Sequence, residues 1–355
     1  MHPSTVILAG TASEAGSRLF GVIATVAIFL AALLVIFAVV GKVTGRFERP
    51  LTIVVLVAPA VILSVAGLVV PAIRTIVTSF TNEQAAGQKF KIVDGKLVEY
   101  KTKFIGLDNY RFDFTDSYTL HTLLRTVIWI VLVPLVTVGI GLLLALLLDR
   151  MTHTTLPRTL IFLPTAISFV GASLIWALVY NAPVYNQDGT PGTQTGLLSK
   201  IVIALGWQHP PNWILDAPGN SYLIMIVMVW IQVGFAMVVL GAALKAIPEE
   251  IIEAARIDGA SGATLFRAVQ IPMIRNTLIV VATTVTITSL KAFDIVNTMT
   301  NGNYSTDVLA NQMYNELFVT NQTGRGSSLA VLLFLCVVPL VAYNVVQLRR
   351  ERAAR

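Results

Sequence analysis

Charge is what this sequence has least of. Only 12% of its 355 residues are Asp, Glu, Lys or Arg, and mean hydropathy is +0.76. An average soluble domain carries about twice that charge. There is one cysteine, Cys336, so no intrachain disulfide forms. It sits inside an apolar run and reads as a small buried hydrophobe. Four histidines (His2, His121, His153 and His209) are scattered without the spacing of metal ligands, so no metal site is expected. A phosphate loop is missing too. GKVTG at Gly41 and DGKLV at Asp94 lack the preceding glycine and the following Ser/Thr of a nucleotide cradle. If ATP drives this protein, another chain binds it, and the chain itself is not read as an enzyme.

What is present is apolar length. Seven runs match the roughly 20 residues a helix needs to cross hydrocarbon. They lie at about 19–41, 52–73, 122–148, 158–180, 221–244, 276–298 and 327–348. The fold class is therefore an all-α polytopic membrane protein in a lipid bilayer. The net charge of +6 does not indicate nucleic acid, because its distribution follows topology. Lys42, Arg46, Arg49, Arg150, Arg158, Lys245, Arg256, Arg267, Arg275, Arg349, Arg350, Arg352 and Arg355 fall on one side if the spans alternate. The short segments of the other side hold Arg18, Lys200 and Arg325, with Lys291 near a span end. That positive-inside bias puts the C-terminus in the cytoplasm and, with seven spans, the N-terminus outside. The first run is too long for a signal-peptide core and lacks a basic lead, so it is expected to be a retained helix.

Three outer segments are long enough to fold locally. FKIVDGKLVEY (Phe90–Tyr100) has an Asp-Gly pair between strand formers, a hairpin signal, among Lys89, Lys91, Lys96, Lys101 and Lys103. GLLSKIVIALGW is too short to span and is expected along the membrane surface or capping the bundle. Thr300–Asp307 is simply polar. Trp176, Tyr180 and Tyr222 read as an interfacial belt. The sixth run is the most polar, TTVTITSLKAFDIVNT from Thr283. Its Lys291 and Asp294 either mark a pathway or pair with each other at i,i+3.

Between the fifth and sixth runs lies EEIIEAARIDGASGATLFRAVQIP, Glu249 to Pro272. Pro248 with Glu249 and Glu250 starts a helix. Ile251, Ala254 and Ala255 make one shallow apolar stripe. Asp258-Gly259 breaks it, with Gly259 in a left-handed turn, and Ser261 caps a second short helix ending at Pro272. A helix–turn–helix of this kind suits docking into a groove of a cytoplasmic partner.

The same residues resemble a known signature. Glu253-Ala254-Ala255, Gly259 four residues on, and Val269-Gln270-Ile271-Pro272 resemble the EAA loop of binding-protein-dependent ABC transporter permeases. The chain departs from the pattern only by Val269 for Ile and Ile271 for Leu. FIGLDNY (Phe104–Tyr110), LLLALLLDR ending at Arg150, ALKAIPEE and LKAFDIVNTMTNG resemble the maltose and α-glucoside type of carbohydrate permease. The resemblance covers roughly 51 to 350. It implies a type I importer core of six helices over 51–355, with a coupling loop at 245–275, preceded by residues 1–50 as an extracytoplasmic tail and extra helix. It further implies a prokaryotic cytoplasmic membrane, two ATPase subunits using ATP and Mg, a second related permease, an extracytoplasmic solute-binding protein and a sugar substrate.

Within that scheme Glu253 is the charged anchor of the loop, Ala254 and Ala255 its packing face, Asp258 and Gly259 its turn, and Pro272 its end. The sugar path carries over onto Gln232, Gly234, Met237, Ser289 and Ala292. Family members often have Tyr where Met237 stands and Asn near Ser289 and Ala292, so the contacts differ here. An ion-coupled secondary transporter of a small polar solute is the alternative. It would use the polar sixth run but leaves the cytoplasmic loop without a role. A non-transporting scaffold needs neither.

Overall fold

The computed structural model describes residues 48–84, 90–93, 96–99, 102–183 and 195–354, with Gly21, Ala27 and Ala31 as single helical positions. The first expected span and the tail before it otherwise lie outside the described residues. The chain divides into two compact units, Met1–Arg74 and Thr75–Arg355.

In the first unit, α1 (Glu48–Ser64) runs through a π turn, Val65–Val69, into α2 (Val70–Thr78), which carries on into the second unit. Leu56–Thr78 is long and apolar enough to cross a membrane. The π turn has a cause in sequence. Pro71 has no N–H to give the preceding turn and its ring crowds the carbonyl four residues back. Widening that turn, so that the Val70 N–H donates to the Val65 carbonyl, lets the helix continue past it.

The second unit opens with the two-stranded hairpin β1 (Phe90–Val93) and β2 (Lys96–Glu99), with Val93 opposite Lys96 across a two-residue loop. The Asp-Gly pair predicts that register. A short helix, α3 (Asp108–Thr115), then leads to α4 (Ser117–Asp149). The α4 start is capped by Asp116, whose Oδ2 accepts the Thr119 N–H at 2.9 Å. After α5 (Thr155–Phe162) and a 3-10 turn (Leu163–Ala166) comes α6 (Phe169–Val179). Next are α7 (Leu197–Ala204) and α8 (Gly219–Lys245).

The centre is built by α4 and α8 with the helix that follows the loop. Trp129 and Val133 meet Met228, Ile231, Leu240, Val281 and Val285, all buried. Among the described residues four helices reach spanning length with sufficient hydropathy. The α5–α6 pair makes a fifth span only as a broken one, bent by 105°. The apolar run 158–180 predicts a straight span there, and the structure corrects that. Pro164 closes the first half in a tight turn, Ile167 is extended, and Ser168 restarts the helix by accepting the Gly171 N–H at 3.1 Å.

The run 276–298 is also not one span. A single helix runs from Gly262 to Leu290. It stops at Lys291, and α12 (Phe293–Thr300) begins after a break. The break separates Lys291 from Asp294, and among the described residues they form no ion pair. Four hydroxyls of the 276–290 stretch are satisfied internally. Thr284, Thr286, Thr288 and Ser289 each donate to the carbonyl four residues back at 2.8–2.9 Å. A hydroxyl-rich span of this kind carries no unpaired donor from those residues and is not by itself a pathway. The chain ends in α13 (Leu309–Tyr314), a π turn (Asn315–Val319) and α14 (Thr323–Ala354), whose apolar part is Thr323–Pro339.

Candidate functional site

The loop after α8 starts at Pro248, which stands just outside α9 (Glu249–Ile257) as its N-cap with φ −56°. Glu249 and Glu250 occupy the positive end of the helix dipole. No residue of α9 is buried. Ile251, Glu253, Ala254, Arg256 and Ile257 are exposed, Ile257 at 86%. An amphipathic helix that buries nothing within its own chain presents its apolar stripe outward.

The helix closes in a Schellman turn. The Ala260 N–H donates to Ala255 O at 2.9 Å and the Gly259 N–H to Arg256 O at 3.0 Å. Between them Gly259 sits at φ +86°. That backbone conformation costs any L side chain roughly 1–2 kcal/mol, which is why glycine stands there. Asp258 is exposed at the helix end.

Ser261 occupies the next N-cap position in extended conformation, but its hydroxyl makes no capping bond. The second helix does not end at Pro272, as the sequence pattern predicts. α10 (Gly262–Leu265) passes through a π turn at Phe266–Gln270 into α11 (Ile271–Leu290) without interruption. The Ile271 N–H reaches back to Phe266 O, the same accommodation of proline seen before Pro71. The loop's second arm and the sixth span are thus one rod of 29 residues, about 43 Å long. A cleft of about 750 Å³ separates the turn from the end of α4, with Asp149, Arg150, Arg256 and Gly259–Ala263 on its walls.

The five path residues are distributed unequally. Gly234 is a close-approach position: a Cβ there would stand 2.5 Å from Ile161 O and 2.8 Å from Phe162 Cα. It lets α5 cross α8. Met237, Ser289 and Ala292 are 1–2% exposed, and the Ser289 hydroxyl is bonded to Val285 O. Gln232 is half-buried, and among the described residues its amide has no hydrogen-bond partner. Its neighbour Trp230 packs edge-on against Trp176, ring centres 5.7 Å apart. Tyr180 is buried and donates to Leu223 O at 3.1 Å.

At the far end from the loop, sequence reasoning missed a buried polar cluster. Asp307 is 1% exposed. Its carboxylate takes the Tyr118 O–H at 2.6 Å, the Asn311 amide at 2.7 Å and the Val308 N–H at 2.9 Å. Burial nonetheless holds it above the ordinary carboxylate range. Arg125 donates to the carbonyls of Asp307 and Ser305, and Asn220 to that of Tyr304. These bonds hold a loop in which Asn301, Tyr304 and Ser305 all have positive φ. Only the polarity of Thr300–Asp307 hinted at it. α7 is tied to the same end of the bundle, where Ser199 accepts the Trp213 indole N–H at 2.8 Å and donates to Asn181 O.

The family model of binding-protein-dependent transport system inner membrane components matches residues 117–353. The chain is 41% identical over 299 residues to the osmoprotective compounds uptake permease protein GgtC of Synechocystis sp., covering 84% of this chain and 99% of that one. It is 43% identical over 249 residues to the alpha-glucoside transport system permease protein AglF of Rhizobium meliloti, with 70% and 72% coverage. Among solved structures, a chain of a bacterial alginate ABC transporter, in complex with an alginate pentasaccharide-bound periplasmic protein, superposes with a TM-score of 0.68. That match covers 86% of this chain and 96% of the other at 17% identity, a likeness of fold.

Proposed function

This chain belongs to the binding-protein-dependent transport system inner membrane components, and from that membership we propose that it passes a sugar, of oligosaccharide or α-glucoside type, into the cytoplasm of a prokaryote. It is the permease subunit of an ABC importer, and the ATP hydrolysis resides on a separate subunit. Two such ATPase subunits with their ATP and Mg, a second related permease and an extracytoplasmic binding protein complete the assembly in this reading. The chain itself binds no cofactor.

One observation carries the mechanism. The exposed α9, the left-handed Gly259 and the uninterrupted helix from Gly262 to Leu290 support a docking stripe joined by a tight turn to a rod that runs into the span. A partner that grips Ala254 and Ala255 and moves as it closes on ATP transmits that movement along about 43 Å of helix. No flexible joint intervenes after the turn. Glu253 sets the register of docking through its charge. The positive-inside distribution supports a cytoplasmic position for this end.

For the solute, Gln232 supports the path because its amide is half-accessible and unpartnered among the described residues, and a dehydrated sugar hydroxyl needs such a partner. Gly234, Met237, Ser289 and Ala292 belong to the same path as its supporting wall. The sugar class rests on the α-glucoside and osmoprotectant relatives. The ion-coupled alternative draws less support from the sixth span, where the hydroxyls of Thr284, Thr286, Thr288 and Ser289 are bonded within their own helix. The test is uptake into proteoliposomes holding this chain with its partner subunits. Transport of an α-glucoside should require ATP on the loop side and loaded binding protein on the other. Uptake that ignores ATP would refute the reading.

A further inference from the structure

A second cavity, of about 200 Å³, opens at the loop-side end of the bundle, where α4, α5 and α8 meet. Its lining is mainly apolar, with Leu148 of α4 and Met237, Val238 and Gly241 of α8. Its rim carries three charges, Asp149, Arg158 and Lys245. Among the described residues the side chains of these three make no ion pair or hydrogen bond, with each other or with anything else. Lys245 is exposed, and Arg158 is half-buried between its helix and the cavity.

A half-buried, unpaired guanidinium above an apolar groove at the end of membrane helices is unfavourable without a ligand, whereas exposed Lys245 keeps its hydration in the last turn of α8. Arg158 has lost part of its hydration and gained no acceptor in return. The groove opens on the outer face of a helix long and apolar enough to cross a membrane, where Val238 is 37% exposed. A soluble anion would satisfy the rim and leave the apolar lining uncovered. A lipid covers both.

We propose that this cavity binds an anionic phospholipid of phosphatidylglycerol type. The phosphodiester lies between the Arg158 guanidinium and the Lys245 ammonium, and one acyl chain lies over Gly241 and Val238. The Asp149 carboxylate then accepts a hydrogen bond from a headgroup hydroxyl, which explains an acid beside two bases. Choline offers no such donor. Ethanolamine offers one but cancels the net charge that the two cations select. The inference requires only that α4 and α8 span a bilayer, so it stands or falls separately from the solute and the ATPase.

The test is native mass spectrometry of the full-length chain, in the assembly in which it purifies, with equal amounts of phosphatidylglycerol, phosphatidylethanolamine and phosphatidylcholine. Each basic residue near an anionic surface contributes several-fold in affinity, and Asp149 offsets part of it. Phosphatidylglycerol should therefore be retained about tenfold over phosphatidylcholine. Arg158→Gln with Lys245→Gln should bring the two lipids level, and Lys245→Arg should keep the preference. Should the double variant lose its monodisperse profile, Val238→Trp, which fills the groove with both cations intact, should release the lipid. Equal retention of all three lipids by the unaltered protein overturns the proposal, as does full competition by inorganic phosphate.

Discussion

Gly259 offers the sharpest perturbation, because its role is confined to the backbone. A Cβ at this position meets nothing within 4 Å, so a side chain clashes with no neighbour. What changes is the cost of φ +86°. An L residue there costs roughly 1–2 kcal/mol in the folded loop. Replacing glycine also removes conformational freedom from the unfolded chain, which returns about 0.4–1 kcal/mol. Gly259→Ala should therefore weaken the turn by about 1 kcal/mol, some fivefold in its population. Asn tolerates the left-handed region and should cost less than Ala, while Val, branched at Cβ, should cost more. The loop is exposed and α9 buries nothing, so membrane insertion and thermal unfolding should not change. The assay is ATP turnover stimulated by loaded binding protein, with pull-down of the ATPase subunits alongside. Coupling should fall in the order Gly, Asn, Ala, Val. Equal coupling by the Asn and Val variants, or a matching loss of thermal stability, would refute the reasoning.

Four further outcomes follow from particular residues. Gly234→Val should push α8 away from the α5 backbone at Ile161 and Phe162 and cost about 1–3 kcal/mol, read as a lower melting temperature of the purified chain. Gln232→Ala should raise the KM for the sugar with stability unchanged. Trp230→Ala should lower stability, by about 3 kcal/mol or more, through the lost contact with Trp176. Asp113, 3% exposed at the start of the bundle, is pushed up to about 6, chiefly by burial. The Ser328 hydroxyl lies 2.6 Å from its Oδ2 and 2.7 Å from Arg325 O, so one proton serves both acceptors only if Asp113 carries another. Its folded value is raised, so the stability it contributes is complete below about 3.8 and is lost as pH rises through about 6. Asp113→Asn should abolish that pH dependence and melt higher than the unaltered chain at neutral pH; a retained dependence between these values would contradict the assignment.

Much of this was legible in the residues, and the exceptions share a cause. The helix–turn–helix, the left-handed glycine and the Asp-Gly hairpin are local, each fixed by a few neighbouring dihedrals. Pro272 misleads because a proline stops an α-helix but passes through a π turn, and no pattern in FRAVQ announces the wider turn. The apolar run 158–180 hides a 105° bend, since hydropathy does not register that Ile167 is extended. Ser and Thr in the sixth run look like a polar lane until their bonds to the carbonyls four residues back are seen. The Asp307 cluster joins residues 180 or more positions apart, through Tyr118 and Arg125. Separations of that length leave no trace in composition or period.

In the proposed mechanism, force applied at the exposed loop moves the sugar. Glu253→Lys, measured in proteoliposomes with the partner ATPase, permease and loaded binding protein, tests it most directly. Reversing that charge replaces attraction by repulsion, and an unpaired charge left buried at an interface costs about 2–5 kcal/mol. ATPase association, and sugar uptake with it, should be lost, while the variant inserts and unfolds as the unaltered chain does. Full assembly and undiminished ATP-dependent uptake by the Glu253→Lys protein would contradict it.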